Sequence, residues 1–112
     1  MRLLNVAGAG LIISIAGSQF ALASEWVFCI APSDQEHKIY ITAPFLTDAT
    51  GFALEDGFHQ FLNRSGRHHD SVQCPTGADE QSVRAMRRHA DDFNQQMGVE
   101  VIPIDWGPVL IR

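Results

Sequence analysis

The first 23 residues constrain this chain most, because they set how much of it folds and in which redox compartment. Arg2 gives a positively charged end, residues 6–16 form a short apolar stretch, and Ala21-Leu22-Ala23 has the small-x-small pattern of a cleavage site. This is the layout of a secretory signal peptide. The sequence therefore predicts cleavage after Ala23 and an exported domain of residues 24–112, located in the periplasm or secreted.

The apolar stretch of the leader is too short for a lasting membrane anchor. It runs for about a dozen residues and is interrupted by Gly8, Gly10 and Ser14, whereas a helix needs roughly 20 apolar residues to span a bilayer. We therefore expect no stable anchor once the leader is removed.

The mature chain is short and acidic. Without Arg2 it carries seven Lys and Arg residues against thirteen Asp and Glu residues, a net charge of −6. A chain of this length forms a single domain with one modest core. Nucleic acids and anionic membranes are bound through basic surfaces, so we expect neither as a partner.

Two cysteines, Cys29 and Cys74, remain in the mature chain. In an exported domain an isolated pair predicts a disulfide bond. The alternative, a pair of zinc-binding thiolates, lacks the Cys-x-x-Cys spacing of structural zinc sites. The bond would close a loop of roughly 45 residues and stabilise the fold by about 4 kcal/mol.

Three segments of the mature chain have strand composition before the second helix begins. Residues 26–30 and 38–43 are rich in β-branched and aromatic residues, and the polar turn at 32–37 between them predicts a hairpin. Pro44 ends the second strand because proline lacks the donor that a ladder requires. A short third strand is predicted around 72–74.

Two helices and a last strand complete the pattern. Apolar residues at 54, 58, 61 and 62 share one face of a first helix, and Gly66 ends it. Residues 83, 86, 90, 93 and 97 form the apolar stripe of a second helix, with Thr76 and Asp79 as a capping pair and Gly98 at the end. Residues 99–106 predict a strand at an edge, because Pro103 lies within it.

The predicted order is thus β-β-α-β-α-β, a small two-layer α/β (α+β) sandwich. We expect a four-stranded mixed sheet with both helices on one face. If Cys29 bonds Cys74, the first strand lies beside the third, which the strand order 2-1-3-4 satisfies. Helix crossovers favour parallel pairing, and the first strand then runs antiparallel to its neighbours.

One face of this sheet is a candidate partner surface. Alternate side chains point to opposite faces, so the disulfide is expected to point towards the helices. Trp26, Phe28 and Ile30 would then line the other face, with Tyr40 beside them. Exposed there, they would form a protein-binding or homodimer surface; the alternatives are that residues 109–111 cover them or that they face the core.

The histidines are candidate metal ligands. His68, His69 and Asp70 are consecutive, while His59 lies on the first helix and His37 in the turn. Adjacent residues of an extended segment point in opposite directions, and metal sites need convergent ligands. Solvated loop histidines are therefore the simpler interpretation, and the sequence predicts no metal and no cofactor.

Signatures of catalysis are missing. The chain has no nucleophile elbow, phosphate-binding glycine loop or His-Glu-x-x-His motif. Asn63-Arg64-Ser65 matches the glycosylation acceptor pattern, which depends on the source of the protein.

Three functions remain as hypotheses. The first is a non-catalytic exported module that binds a protein or envelope component. The second is a metal or small-ligand binding protein that uses the His68-His69-Asp70 loop, and the third is a small hydrolase.

Overall fold

In a computed structural model that describes residues 24–107, the chain folds into a small α+β domain, as predicted. These residues form six strands and two helices. In chain order they are β1 (Glu25–Val27), β2 (Ile30–Ser33), β3 (Lys38–Thr42), β4 (Phe45–Thr47), α1 (Gly51–Arg64), β5 (Thr76–Gly77), α2 (Glu80–Gln96) and β6 (Glu100–Ile104). The predicted signal peptide, residues 1–23, and the tail of residues 108–112 lie outside the described residues.

The described strands form two three-stranded sheets instead of one sheet of four strands. Their orders are β4-β1-β5 and β2-β3-β6. The predicted first strand contributes to both, as β1 and β2. Between these two strands, the backbone N–H of Cys29 donates to the hydroxyl oxygen of Thr42 at 2.9 Å. A side chain thus replaces a ladder carbonyl at this point, and the regular pairing is interrupted.

The predicted strand order 2-1-3-4 places the last strand at the wrong edge. The hairpin of β2 and β3 forms, and Ile30 bridges Gln73 antiparallel, so the first segment does lie between the second and the third. However, β6 pairs in parallel with β3. The sequence does not determine which edge the last strand joins. The crossover through α2 is long enough to reach either edge, and the disulfide constrains only the first and third segments.

Local capping groups set the start of each helix. The Thr50 hydroxyl accepts from the N–H of Ala53 at the start of α1. At the start of α2 the cap is Asp79 alone, which accepts from the N–H of Ser82 at 2.8 Å, whereas Thr76 belongs to β5. These hydrogen bonds from Ser82 lower the pKa of the Asp79 carboxyl below its ordinary value.

The two helices cover opposite faces of the central strands, which corrects the expectation that both lie on one face. Leu54, Phe58 and Leu62 of α1 pack against the side of the first segment that carries Cys29. On α2, Val83 and Ala90 pack around Phe28 on the other side. Alternate residues of one extended segment therefore contribute to two separate apolar clusters.

The disulfide bond between Cys29 and Cys74 is present, with the two Cα atoms 4.0 Å apart. Both cysteines are buried within the cluster beneath α1. The bridge was expected to point towards both helices; it lies on the α1 side alone, because α2 covers the other face. Backbone hydrogen bonds exchanged between Ile30 and Gln73, at 2.8 and 3.0 Å, join the same two segments.

Candidate functional site

The candidate sheet face is covered, so the alternative that its central residues face a core applies. Phe28 is buried beneath α2, while Trp26 and Ile30 are half-buried around it. Tyr40 is buried on the opposite face, because the hairpin register pairs it with Ala31. Neither residue is thus available to a partner, since α2 covers Phe28 and the cluster beneath α1 encloses Tyr40.

Large apolar side chains are exposed instead along one flank of α2. Met86, Phe93 and Met97 are 36%, 56% and 65% exposed. The sequence predicts a single apolar stripe that contains these three residues together with Val83 and Ala90. In the structure Val83 and Ala90 pack in the cluster around Phe28, while the three larger side chains stay exposed along the flank of the helix next to it. The rotation of the helix about its axis decides this, and periodicity alone does not reveal it.

Along α2 itself, the residues next to this apolar face on its solvent side carry no full charge. At 3.6 residues per turn, positions 86, 93 and 97 lie within about 40° of one another around the helix axis. Their neighbours on the outer side are uncharged or only weakly basic, namely Ser82, His89 and Gln96. The charged residues of α2, namely Glu80, Arg84, Arg87, Arg88, Asp91 and Asp92, lie about 80° or more away around the axis. Low charge beside large apolar side chains is typical of the centre of a protein interface.

The apolar face continues towards the edge strand β5. A Cβ atom on Gly77 would lie 3.3 Å from the terminal methyl of Met86 and 2.7 Å from a methyl of Val83. Gly77 itself pairs with Trp26 in the β1–β5 ladder. The half-buried Trp26 thus lies on the same side of the molecule as Met86, so one of the residues expected to bind a partner borders this face.

The three residues of the predicted metal loop do not converge. The hydroxyl of Ser33 lies 3.1 Å from Nδ1 of His68, and the carboxylate of Asp70 accepts from the N–H of Asp34 at 2.8 Å. His69 instead meets His59 of α1. Within residues 24–107, no group of three or more His, Cys, Asp or Glu side chains is placed to hold a metal ion.

His59 and His69 form a close pair on the surface. Nδ1 of His59 lies 2.7 Å from Nε2 of His69, and the two rings are nearly perpendicular. At its other nitrogen, His59 lies 3.1 Å from the Asn63 amide nitrogen. Nδ1 of His69 lies 3.0 Å from the carbonyl oxygen of Arg67. Sequence analysis missed this pair because the residues are ten positions apart and on different elements.

The hydrolase hypothesis finds little support in the described residues. Ser33 has a histidine beside it but is completely buried, so a substrate cannot reach its hydroxyl. An open cleft of about 510 Å³ near Trp106 has Asp105 as the carboxylate in its lining. The one arginine there, Arg87, already donates to the carbonyl of Thr42 and to Asp91. Acid–base hydrolysis by carboxylates needs two of them across a substrate.

Compared with known proteins, the chain matches no family model, no curated protein and no solved structure. Among residues 24–107, neither helix is long and apolar enough to cross a membrane.

Proposed function

We propose that this protein is a small exported module without catalytic activity, which binds a partner protein of its own compartment through α2. The observation that carries the proposal is the row of Met86, Phe93 and Met97, exposed side by side among uncharged or weakly basic neighbours. Export is supported by the layout of the leader and by the disulfide bond. An accessory role in the cell envelope agrees with both.

The net charge of the chain favours a separate partner protein over a second copy, and the size of the face shows that the interface must extend beyond it. Taking roughly 200 Å² for each fully exposed side chain, the three residues offer about 300 Å² of apolar surface. A stable interface buries about 800 Å² on each partner. The charge of the mature chain, −6, adds repulsion between two copies. A larger partner surface with little charge would extend beyond the row of three and bury it at the centre.

Methionine side chains suit such a role. They are flexible and polarizable, so they adapt their shape to the surface that they contact. With Phe93 between them, the two methionines of this face would provide an adaptable rim around one rigid aromatic anchor, and aromatic anchors carry a large share of binding energy at interfaces.

Site-specific photocrosslinking at Phe93 tests the proposal. Benzoylphenylalanine replaces Phe93 in one variant and Phe52 in a matched control, because Phe52 is an 81% exposed phenylalanine on the other helix. We expect a discrete heterologous adduct from position 93 in the exported fraction of the native organism, and none from position 52. Adducts of twice the protomer mass, or equal labelling at both positions, would contradict a separate partner at this face.

Once crosslinking has identified the partner, binding measurements with that partner give the contribution of Phe93 to the affinity. Burying the exposed part of Phe93 contributes about 1–2 kcal/mol, so Phe93→Gln should weaken binding about 10-fold. Phe52→Gln should leave the dissociation constant within a factor of two, and both variants should keep the circular dichroism spectrum of the parent. Equal affinity of the Phe93 variant and the parent would remove α2 as the binding face.

A further inference from the structure

The pair of His59 and His69 is held by parts of the fold that are firmly anchored. His59 follows Phe58, a residue of α1 whose side chain is completely buried in the core. The loop that carries His69 is fixed on both sides, since the N–H of Arg67 donates to the Leu62 carbonyl and the N–H of Asp70 donates to the Pro32 carbonyl. The positions of the two rings therefore follow from the packing of α1 and from the backbone of the loop.

Hydrogen bonds around the pair determine which ring nitrogens carry protons. The Arg67 carbonyl can only accept, so Nδ1 of His69 donates to it and Nε2 of a neutral His69 bears a lone pair. His59 Nδ1 then donates to that lone pair at 2.7 Å. The remaining nitrogen, Nε2 of His59, accepts from the Asn63 amide at 3.1 Å. One proton thus lies between the two ring nitrogens. Without it, His59 Nδ1 and His69 Nε2 would each carry a free lone pair.

A metal ion can replace this hydrogen bond. It would lie about 2.0–2.1 Å from each nitrogen, to one side of the line that joins them, and His69 would keep its contact with the Arg67 carbonyl. His69 already presents Nε2 while its opposite nitrogen donates to a backbone carbonyl, which is the arrangement that orients most histidine ligands of metals. His59 frees Nδ1 when its proton moves to Nε2. The side-chain amide of Asn63 can turn over and accept that proton with its oxygen. Each ring would thus keep a hydrogen bond at the nitrogen that does not bind the metal.

The distance between the two nitrogens is close to the span that one metal ion imposes on two adjacent ligands. With metal–nitrogen bonds of about 2.0–2.1 Å, two ligands at a right angle lie about 2.9 Å apart, and two tetrahedral ligands about 3.3 Å apart. The observed 2.7 Å is the length of the hydrogen bond between the rings. A separation larger by about 0.2 Å reaches the right-angle distance, which square-planar Cu²⁺ and Ni²⁺ prefer. We propose that His59 Nδ1 and His69 Nε2 form a cis bis-imidazole site for such a divalent ion, with solvent completing its coordination.

This site is independent of the α2 face and differs from the loop site considered above, because it uses His69 without His68 or Asp70. Since only two ligands come from the protein, the bound ion would exchange readily. Its affinity depends on both rings together, so the loss of either ring removes the chelate.

Titration of the tag-free, disulfide-bonded mature protein with Cu²⁺ alone, after treatment with a chelator, tests the proposal. We expect one ion per chain, a visible absorption band of bound Cu²⁺, and nitrogen hyperfine splitting from two imidazoles in its electron paramagnetic resonance spectrum. His59→Gln and His69→Gln should each lower the affinity at least 10-fold with thermal unfolding unchanged.

Matched controls come from the other histidines. His68→Gln, next to His69 in the loop, and His89→Gln, exposed on α2, should bind Cu²⁺ within a factor of two of the parent. Absence of binding at about 50 μM protein and metal would overturn the proposal. Equal affinity of the His59 variant and the parent would also overturn it, as would a loss of affinity in the His68 variant as large as in the His69 variant.

Discussion

Reduction of the Cys29–Cys74 bond should remove a large share of the stability of this domain. The bond joins residues 45 positions apart, so the chain-entropy relation gives about 4 kcal/mol at 25 °C. A domain of this length has a free energy of unfolding of roughly 4–13 kcal/mol. At about 5 °C per kcal/mol for a small domain, the melting temperature should fall by about 20 °C.

Urea unfolding of the mature protein, oxidised and reduced, measures this difference directly. The double variant Cys29→Ala/Cys74→Ala is the matched control, and it should agree with the reduced protein within about 1 kcal/mol because only two small buried groups are lost. Backbone pairing between Ile30 and Gln73 should persist in whatever folded fraction remains. A difference below 1 kcal/mol between the oxidised and reduced forms would refute the reasoning, since the unfolded chain would then already be constrained without the bond.

Two further predictions concern α2. Gly77→Ala should destabilise the fold by about 1–3 kcal/mol in urea unfolding, because its Cβ would lie 2.7 Å from Val83. Gly51→Ala, with no atom within 4 Å at the first residue of α1, should instead be neutral or stabilising by up to about 1 kcal/mol. Asp79 has a lowered pKa, so its capping contribution is present above the ordinary pKa of an aspartate and is lost as the pH falls through the lowered value. Asp79→Asn keeps an acceptor for Ser82 but does not titrate, so its stability should change less between pH 5 and pH 2; equal changes in parent and variant would contradict this role.

Local features of the fold were predictable where neighbouring residues determine the structure. The hairpin follows from two strand-forming segments and the turn between them. Likewise α1 appears with its predicted buried positions, Leu54, Phe58 and Leu62. The short strand β4 was missed, because its three residues carry no pattern of their own and pair with β1 only after the chain has folded back.

The candidate sites were less predictable, for the same reason. The stripe on α2 was recognised, but which side of it contacts the sheet depends on the rotation of the helix. His59 and His69 meet because α1 ends close to the loop that follows it, and no spacing in the sequence indicates this. Tyr40 was placed on the wrong face, since one residue of register decides the side to which a strand residue points.

By itself, the sequence determined the hairpin, the two helices with their boundaries to within a few residues, and the pairing of the two cysteines. These depend on contacts between near neighbours, or on the fact that only two thiols remain. Tertiary structure alone decided that β6 joins β3, that the helices lie on opposite faces, and that Met86, Phe93 and Met97 stay exposed. Such choices compare packing arrangements of similar hydrophobic content, so the free-energy difference between them arises only when distant parts of the chain are in contact.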